Sequence, residues 1–548
     1  MTTAKATTTK PENGHHAHHE GHPRGLYTLF GAEAWERFSY YGMRALLVLY
    51  MVNHLKFTRS DALEVYALYT GLVYLTPIAG GLLADKLLGR RKAVLIGGLV
   101  MAFGHLAMAF ESLLYPALGL LIVGNGFFKP NISTIVGGLY EEGDPRRDGG
   151  FTIFYMGINL GAFFSPIVCG NLGEKLGWDY GFSAAAVGMA LGLAQFVLGQ
   201  KYLAKIGLPP KSTADKLVHK DYVEVAVWVA AACALVFGVV YGGKLVAPMW
   251  ATVPGVIKTI LGVVAAGAVI AQLYRGASGE EMQRITVIIV LCMFNIFFWM
   301  GFEQAGGTMT LFADKQTNRE LSGVGVMVIA LFVGLGAYNI WRDTSDEKSG
   351  RALWLGLTGL FGLSALGLLG WGGLLLTGQK TTTIAASQFQ TINPLIIVVL
   401  APTFSRMWER LDSGRLKTST PTKMALGMII LGLGFVVMFV GQKLSEKGPV
   451  SPAWLAAVYA IHTVGELCLS PIGLSMVTKL APPRVVSLAM GLWFFSSAVA
   501  NYLAGTLESM LEKSHTPIYG FLVVASIGPA VLLLALTPLL KKWMHGRA

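Results

Sequence analysis

Apolar stretches of roughly 20 residues recur along the whole chain, and short segments rich in Gly, Pro, Lys and Arg separate them. A stretch of about that length crosses a bilayer as an α-helix. The pattern therefore predicts an all-α polytopic membrane protein. The candidate spans are 27–53, 62–86, 93–111, 116–140, 150–172, 180–203, 221–243, 250–274, 284–305, 322–341, 352–376, 387–410, 424–443, 452–479, 484–508 and 517–540.

Composition supports this class. Of the 548 residues, 53% are hydrophobic and 14% are charged, whereas soluble proteins carry ~25% charged residues. The net charge of +12 is interpreted as basic cytoplasmic loops rather than nucleic-acid binding. The cysteines lie inside apolar runs and show neither metal-ligand spacing nor a disulfide framework; they are Cys169, Cys233, Cys292 and Cys468.

Lysine and arginine cluster in alternate loops, which predicts that both termini are cytoplasmic. The opposite loops, such as 111–116 and 173–181, are poor in these residues. The N-terminus lacks a signal-peptide pattern, and residues 1–24 are predicted to form a disordered tail. Metal binding by its histidines His15, His16, His18 and His19 is the alternative. The basic residues are Lys86, Arg90, Arg91, Lys92, Lys201, Lys205, Lys211, Lys216, Lys220, Arg406, Arg410, Arg415, Lys417, Lys423, Lys541, Lys542 and Arg547.

The first span carries charges at membrane depth, where each costs at least ~2.5–3.5 kcal/mol. Several charges on one face are tolerable if that face lines a wet cavity or meets partner charges. The alternative is a helix end whose charges reach back to the interface. Spacing of i, i+4, i+7 and i+11 places four side chains on one helical stripe, and Glu36 with Tyr40 forms a second pair. The stripe consists of Glu33, Arg37, Tyr40 and Arg44.

Three further ionisable residues interrupt apolar sequence. Lys129 and Glu466 lie in mid-span, and Glu303 ends a run that starts at Ile285. A carboxyl group that alternates between an apolar surrounding and a nearby arginine can take up and release a proton. A position at the membrane edge is the alternative for Glu303. Both signs of charge are present, so a zwitterionic ligand would suit the set.

The segment EAWERFSYYG at 33–42 resembles the first-helix signature of the proton-dependent oligopeptide transporter family, within the major facilitator superfamily. Other segments resemble further motifs of that family, and the likeness covers about 25–540 except two inserted helix pairs. These segments are 74–92 for the cytoplasmic loop motif, 124–162 for the second signature, 299–304, 390–394 and 401–402, 465–474 and 491–497.

The resemblance implies two six-helix bundles with the site between them. The N-terminal bundle is expected at 25–205, a linker with two extra helices at 206–280, and the C-terminal bundle at 281–545. Bacterial members commonly carry the first extra pair, which 221–274 fits. A second apolar pair at 322–376 departs from the usual pattern and is interpreted as peripheral packing.

The resemblance implies a bacterial inner-membrane symporter that imports di- and tripeptides with protons and needs no other cofactor or metal. The peptide carboxylate is expected near Arg37 and Lys129 and its ammonium near Glu466 and Asn393. Asn159 can equally join helices, Asn393 can cap a helix, and Trp493 can be packing. The peptide-contacting residues expected are Arg37, Tyr40, Tyr41, Tyr74, Lys129, Asn159, Trp299, Glu303, Asn393, Glu466, Trp493 and Ser497.

The resemblance also implies two charge gates. Arg44 with Glu303 would close the outer side, and Lys129 with Glu466 would close the inner side. Glu33, Glu36 and Arg37 would couple the proton to substrate binding. Asp85, Arg90 and Arg91 in the cytoplasmic loop would latch the outward-facing state.

Two alternatives stay open: transport of nitrate or another small anion, and a peptide receptor that transports nothing. An enzyme is not expected, because no Ser/His/Asp set, phosphate loop or metal spacing is present, and His462 is interpreted as a packed polar residue. The expected partners are a peptide, protons and the lipid bilayer, with no nucleic acid, and the expected state is a monomer.

Overall fold

A computed structural model of the chain describes residues 21–141, 144, 146–209, 217–251, 267–344, 351–378, 380–413, 418–512 and 516–547. The described helices are α1 Arg24–Leu49, α2 Arg59–Leu83, α3 Arg90–Ala107, α4 Leu114–Gly138, α5 Arg147–Lys175, α6 Trp178–Gly199, α7 His219–Ala251, α8 at 267–274, α9 Gly279–Phe302, α10 Thr308–Lys315, α11 Gly323–Thr344, α12 Arg351–Thr377, α13 Ile392–Ser413, α14 Thr420–Ser445, α15 Pro452–Leu480, α16 Val486–Glu512 and α17 Ile518–Trp543.

The prediction of an all-α membrane protein is confirmed. Within the described ranges, thirteen helices are long and apolar enough to cross a bilayer, so the chain is a multi-pass membrane protein. α1 is not among these thirteen helices, because its charged residues make it less apolar. Of the predicted span 250–274, residues 252–266 lie outside the described residues, as does the histidine cluster His15–His19.

Short elements at the helix ends were not predicted. The π-helical turns Tyr50–His54 and Ala84–Leu88 extend α1 and α2. Two strands, β1 Glu320–Ser322 and β2 Thr381–Thr383, pair antiparallel on either side of the α11–α12 pair. A 3₁₀ turn at Ala386–Thr391 leads into α13.

The helices pack as two groups, here called the N-terminal bundle (α1–α6) and the C-terminal bundle (α9, α10 and α13–α17). In the first, α1 packs on α5 and α6, and α3 packs on α4. In the second, α14 packs on α15 and α17, and α9 packs on α16. The bundles meet where α2 contacts α16 and where α5 contacts α13, which leaves room between them for a site.

The basic loops of both bundles lie at one end of the molecule, here called the basic end. Arg91 at the start of α3 donates to the carbonyl of Ile206 after α6 (2.7 Å). His545 at the end of α17 contacts Gln283 at the start of α9 (2.7 Å). At the opposite end, here called the far end, Arg59 of α2 pairs with Glu508 of α16. Lys211, Lys216, Arg415 and Lys417 lie outside the described residues.

The inserted pair α11–α12 contacts both bundles. Trp354, which is 2% exposed, meets the Phe30 ring of α1 edge-on at 5.6 Å. Phe361 stacks on Phe163 of α5 at 5.5 Å, and Asn339 of α11 donates to the Val399 carbonyl of α13 (2.8 Å). The pair therefore bridges the seam between α5 and α13, a role that the interpretation as peripheral packing did not include.

Replacing Trp354 by alanine is expected to lower the midpoint of thermal unfolding in detergent. Removal of a buried indole leaves a cavity, which costs ~3–5 kcal/mol in protein cores. Trp371 on the same helix is 45% exposed, so Trp371→Ala serves as the control with an effect within ~0.5 kcal/mol. Equal midpoints for the two variants would contradict the bridging role of Trp354.

Candidate functional site

A cavity of about 310 Å³ lies between the two bundles, within the range of small-molecule sites. Both bundles contribute charged and aromatic side chains to its wall. The lining residues are Arg37, Tyr41, Arg44, Tyr74, Lys129, Tyr155, Ile158, Asn159, Ala162, Pro166, Trp299, Phe302, Glu303, Ala305, Gln390, Asn393, Pro394, Ile397, Tyr459, His462, Glu466, Leu469, Trp493, Phe494, Ser497 and Asn501.

Arg37 is held by buried partners of its own bundle. Its guanidinium donates to both oxygens of Glu36, with Nη2 to Oε1 at 2.6 Å. Glu33 Oε1 lies 3.4 Å from Arg37 Nε, and Asn125 Oδ1 lies 3.4 Å from Nη2. Buried charges persist when they are paired and hydrogen-bonded. Glu33 and Glu36 do not line the cavity, so Arg37 presents the charge of this cluster to a ligand.

Aromatic rings flank the cations of the N-terminal bundle. The Arg37 guanidinium lies 4.9 Å from the centre of the Tyr40 ring, and Lys129 Nζ lies 5.1 Å from that of Tyr74. Tyr41 and Tyr74 line the cavity, but Tyr40 is not among the lining residues. The position of Tyr40 therefore does not support the expected contact with a ligand. Its ring instead stabilises the Arg37 guanidinium through cation–π attraction.

The two residues of the predicted inner gate, Lys129 and Glu466, are not joined by a described contact. Lys129 and Glu466 both line the cavity, but among the described residues no carboxylate forms an ion pair with Lys129. Glu466 instead accepts a hydrogen bond from Asn393 Nδ2 (2.7 Å), and the same Nδ2 lies 3.1 Å from Thr463 Oγ1. A cation and a carboxylate thus face one cavity from opposite bundles.

The two residues of the predicted outer gate, Arg44 and Glu303, are in contact. Arg44 of α1 forms a buried ion pair with Glu303 across the two bundles, and Arg44 Nε donates to Tyr66 Oη (2.6 Å). Glu303 is 4% exposed and begins a 3₁₀ turn, Glu303–Gly306, that ends α9. This break in the helix brings the carboxylate to Arg44.

Gly306 is expected to be required for this closure. A methyl group there would overlap Tyr66 Oη and lie 3.1 Å from Arg44 Nε, and such overpacking costs ~1–3 kcal/mol. We expect Gly306→Ala to weaken far-end closure. The measurement is labelling by an impermeant maleimide in an Asn53→Cys background without the native cysteines, because Asn53 lies between the bundles at the far end; Gly306→Ala should increase it. Gly279→Ala is the control, because nothing lies within 4 Å of its added methyl group. Equal labelling of the two variants would show that the turn is not tightly packed.

The predicted latch residues lie at the basic end. Asp85 pairs with Arg90 (2.9 Å), and Arg91 donates to the carbonyls of Ala204 and Ile206. All these contacts are within the N-terminal bundle and its following loop. Asp85 therefore holds its own loop in this conformation and makes no described contact with the C-terminal bundle.

The remaining predicted site residues, Asn159, Trp299, Trp493 and Ser497, line the cavity. Sequence reasoning missed several others. Tyr459 and His462 precede Glu466 by seven and four residues, a helical spacing that indicates a shared face. His462, interpreted as a packed residue, is 3% exposed and also lines the cavity. Tyr155 and Phe302 also line the cavity; they lie in the motif segments 124–162 and 299–304 but were not assigned a role. Asn501, which lies outside every motif segment, lines it as well.

Comparisons with known proteins agree with this architecture. An uncharacterized transporter, YclF, from Bacillus subtilis (strain 168) is 33% identical over 535 residues, covering 96% of each chain. A di-/tripeptide transporter from Lactococcus lactis subsp. lactis (strain IL1403) is 31% identical over 544 residues, covering 95% of this chain and 96% of the relative.

A solved structure of a POT family transporter in complex with a thioalcohol-conjugated peptide has 30% sequence identity and a TM-score of 0.73. The match covers 95% of this chain and 97% of that one. The model of the POT family, PTR2, matches residues 91–330 and 376–522, and its interruption falls within the inserted pair α11–α12. The chain belongs to the POT family of transporters.

Proposed function

We propose that the chain is a proton-coupled symporter that imports di- and tripeptides by alternating access. The observation that carries this proposal is the cavity between the bundles, with Arg37 and Lys129 on one wall and Glu466 on the other. The name of the Lactococcus lactis relative, a di-/tripeptide transporter, supports the same substrate class.

The two kinds of charge suit the two ends of a short peptide. The carboxylate would meet Arg37 and Lys129, and the ammonium would meet Glu466 beside Asn393. Charge-assisted hydrogen bonds of this kind are the strong ones. Since every short peptide has these ends, and aromatic rings wall the cavity, the site would accept many side chains.

The two gates define the state of the molecule. Basic loops face the cytoplasm, so we assign the basic end and both termini to that side of a bacterial inner membrane. An inward-facing conformation is supported by the Arg44–Glu303 pair and by Lys129, which forms no ion pair with a carboxylate of the described residues. We assign the rocking units to 25–205 and 281–545.

Proton binding at Glu303 would neutralise it and release Arg44, which favours the outward-facing state. Peptide binding would compete for Lys129 and Glu466 and so loosen the inner gate. Each event biases one two-state equilibrium, and proton influx supplies ~2.3 kcal/mol per 100 mV. Glu33, Glu36 and Arg37 would couple the two events, and Asp85, Arg90 and Arg91 would latch the inner side in the outward-facing state.

Because the cavity and both gates lie within one chain, we propose a monomer as the working unit, with protons as the coupling ion and no further cofactor. Purified protein in liposomes provides the test. An inward proton gradient should drive uptake of labelled dialanine, and unlabelled dialanine but not nitrate should compete. Competition by nitrate would favour the anion transporter, and binding without flux would favour the receptor.

A further inference from the structure

Glu174 at the far end of α5 binds the opposite bundle through a set of contacts that the two gates do not include. Its carboxylate accepts from the backbone N–H groups of Ala386 (2.8 Å) and Ser387 (2.9 Å). It also accepts from Ser387 Oγ (2.6 Å) and from Arg319 Nη1 (3.2 Å). The side chain is only 11% exposed, although it lies near the end of a membrane helix.

The two amides are the first donors of the 3₁₀ turn Ala386–Thr391. The first N–H groups of a helix have no partner within it, and a negative charge there is stabilising. Here the carboxylate comes from the other bundle, so it can serve as the cap only while the bundles are close. The turn continues into α13, which carries Asn393 to the cavity.

A second set of contacts adjoins the first. Arg319 Nη2 lies 3.5 Å from Asp314 Oδ1, and Asp314 Oδ2 accepts from Asn53 Nδ2 of the N-terminal bundle (3.0 Å). Lys315 Nζ donates to Asn53 Oδ1 (2.9 Å). Arg319 thus joins two places where the bundles touch at the far end.

We propose that Glu174 is a positioning residue that closes the far end by capping the Ala386–Thr391 turn from the opposite bundle, and that this cap is released when the far end opens. The proposal rests on the alternating access proposed above. It extends the closure beyond Arg44 and Glu303 to the seam between α5 and α13. Loss of the cap shifts the chain toward the outward-facing state and frees the segment that positions Asn393.

The test is a distance measurement by double electron–electron resonance on the full chain. Spin labels replace Tyr180, 57% exposed at the far end of the N-terminal bundle, and the exposed Lys447 of the C-terminal bundle, in a background without the native cysteines. Glu174→Gln keeps the shape but loses the charge. We expect it to raise the ratio of long to short distances about tenfold, the effect of losing a hydrogen bond to a charged group.

Glu111→Gln is the matched control, because Glu111 contacts His54 within the N-terminal bundle at the same end. It should leave the distances unchanged. Glu174→Asp should restore part of the short-distance population, and Ser387→Ala should give a smaller shift in the same direction. Arg319→Gln combined with Glu174→Gln should shift the ratio by less than the product of the two single effects.

Unfolding is monitored by gel filtration and thermal melting of each labelled variant. A distance distribution for folded Glu174→Gln equal to that of Glu111→Gln would overturn the proposal. So would independent effects of Glu174→Gln and Arg319→Gln. The readout needs no substrate. If the wild-type chain moves no peptide but Glu174→Gln still shifts the distances, the result would contradict the proposed function and leave the far-end closure supported.

Discussion

Replacing Glu303 by glutamine is expected to abolish peptide uptake driven by a proton gradient while leaving peptide counterflow. Glutamine keeps the shape of the protonated carboxyl group but cannot exchange a proton. The buried pair with Arg44 then loses its charge switch, so proton influx no longer biases the equilibrium between the two states. Exchange of peptide across the membrane needs no net proton movement and can continue.

The measurement uses liposomes containing the purified variant. Uptake of labelled dialanine under an inward proton gradient should fall at least tenfold, which corresponds to ~1.4 kcal/mol or more. Counterflow into liposomes preloaded with dialanine should stay within about twofold of wild type, less than ~0.5 kcal/mol. Glu111→Gln, an exposed carboxylate at the same end, should change neither. Acid-driven uptake that survives in Glu303→Gln would refute the role of Glu303.

Much of the fold follows from the sequence because a membrane helix needs a long apolar run. The predicted span 452–479 and the observed α15 Pro452–Leu480 differ by one residue. Where α9 ends could not be predicted this way, since the break at Glu303–Gly306 depends on contacts with the other bundle. The contacts of α11–α12 with both bundles could not be predicted for another reason. Apolar side chains that face lipid and those that face protein are alike in sequence.

The charged part of the site could be predicted because a charge at membrane depth is costly unless it has a partner. Arg37, Lys129 and Glu466 were found this way, and all line the cavity. Tyr66, which binds Arg44, gave no such signal, because a tyrosine in an apolar run is usually packing. Both predicted gate pairs are present in the sequence, so only the coordinates show that Arg44 and Glu303 are the pair in contact.

Removing the charge of Glu466 is expected to cause the largest loss of substrate affinity. The carboxylate lies in the cavity wall with Asn393 as its hydrogen-bond donor, on the side opposite Arg37 and Lys129. A hydrogen bond between charged groups contributes ~1.5–3 kcal/mol, so Glu466→Gln should weaken dialanine binding by ~10–100-fold. Asn393→Ala, which leaves the charge in place, should have the smaller effect.

A change in the ligand isolates the contact. N-acetyl-dialanine has no ammonium group, so its affinity for wild type should already be low, and Glu466→Gln should reduce it by less than about threefold, ~0.6 kcal/mol. Isothermal titration of both ligands with both proteins gives the coupling between the carboxylate and the ammonium. A general disturbance of the cavity would weaken both ligands by the same factor. Equal losses would therefore contradict a contact between Glu466 and the peptide's N-terminus.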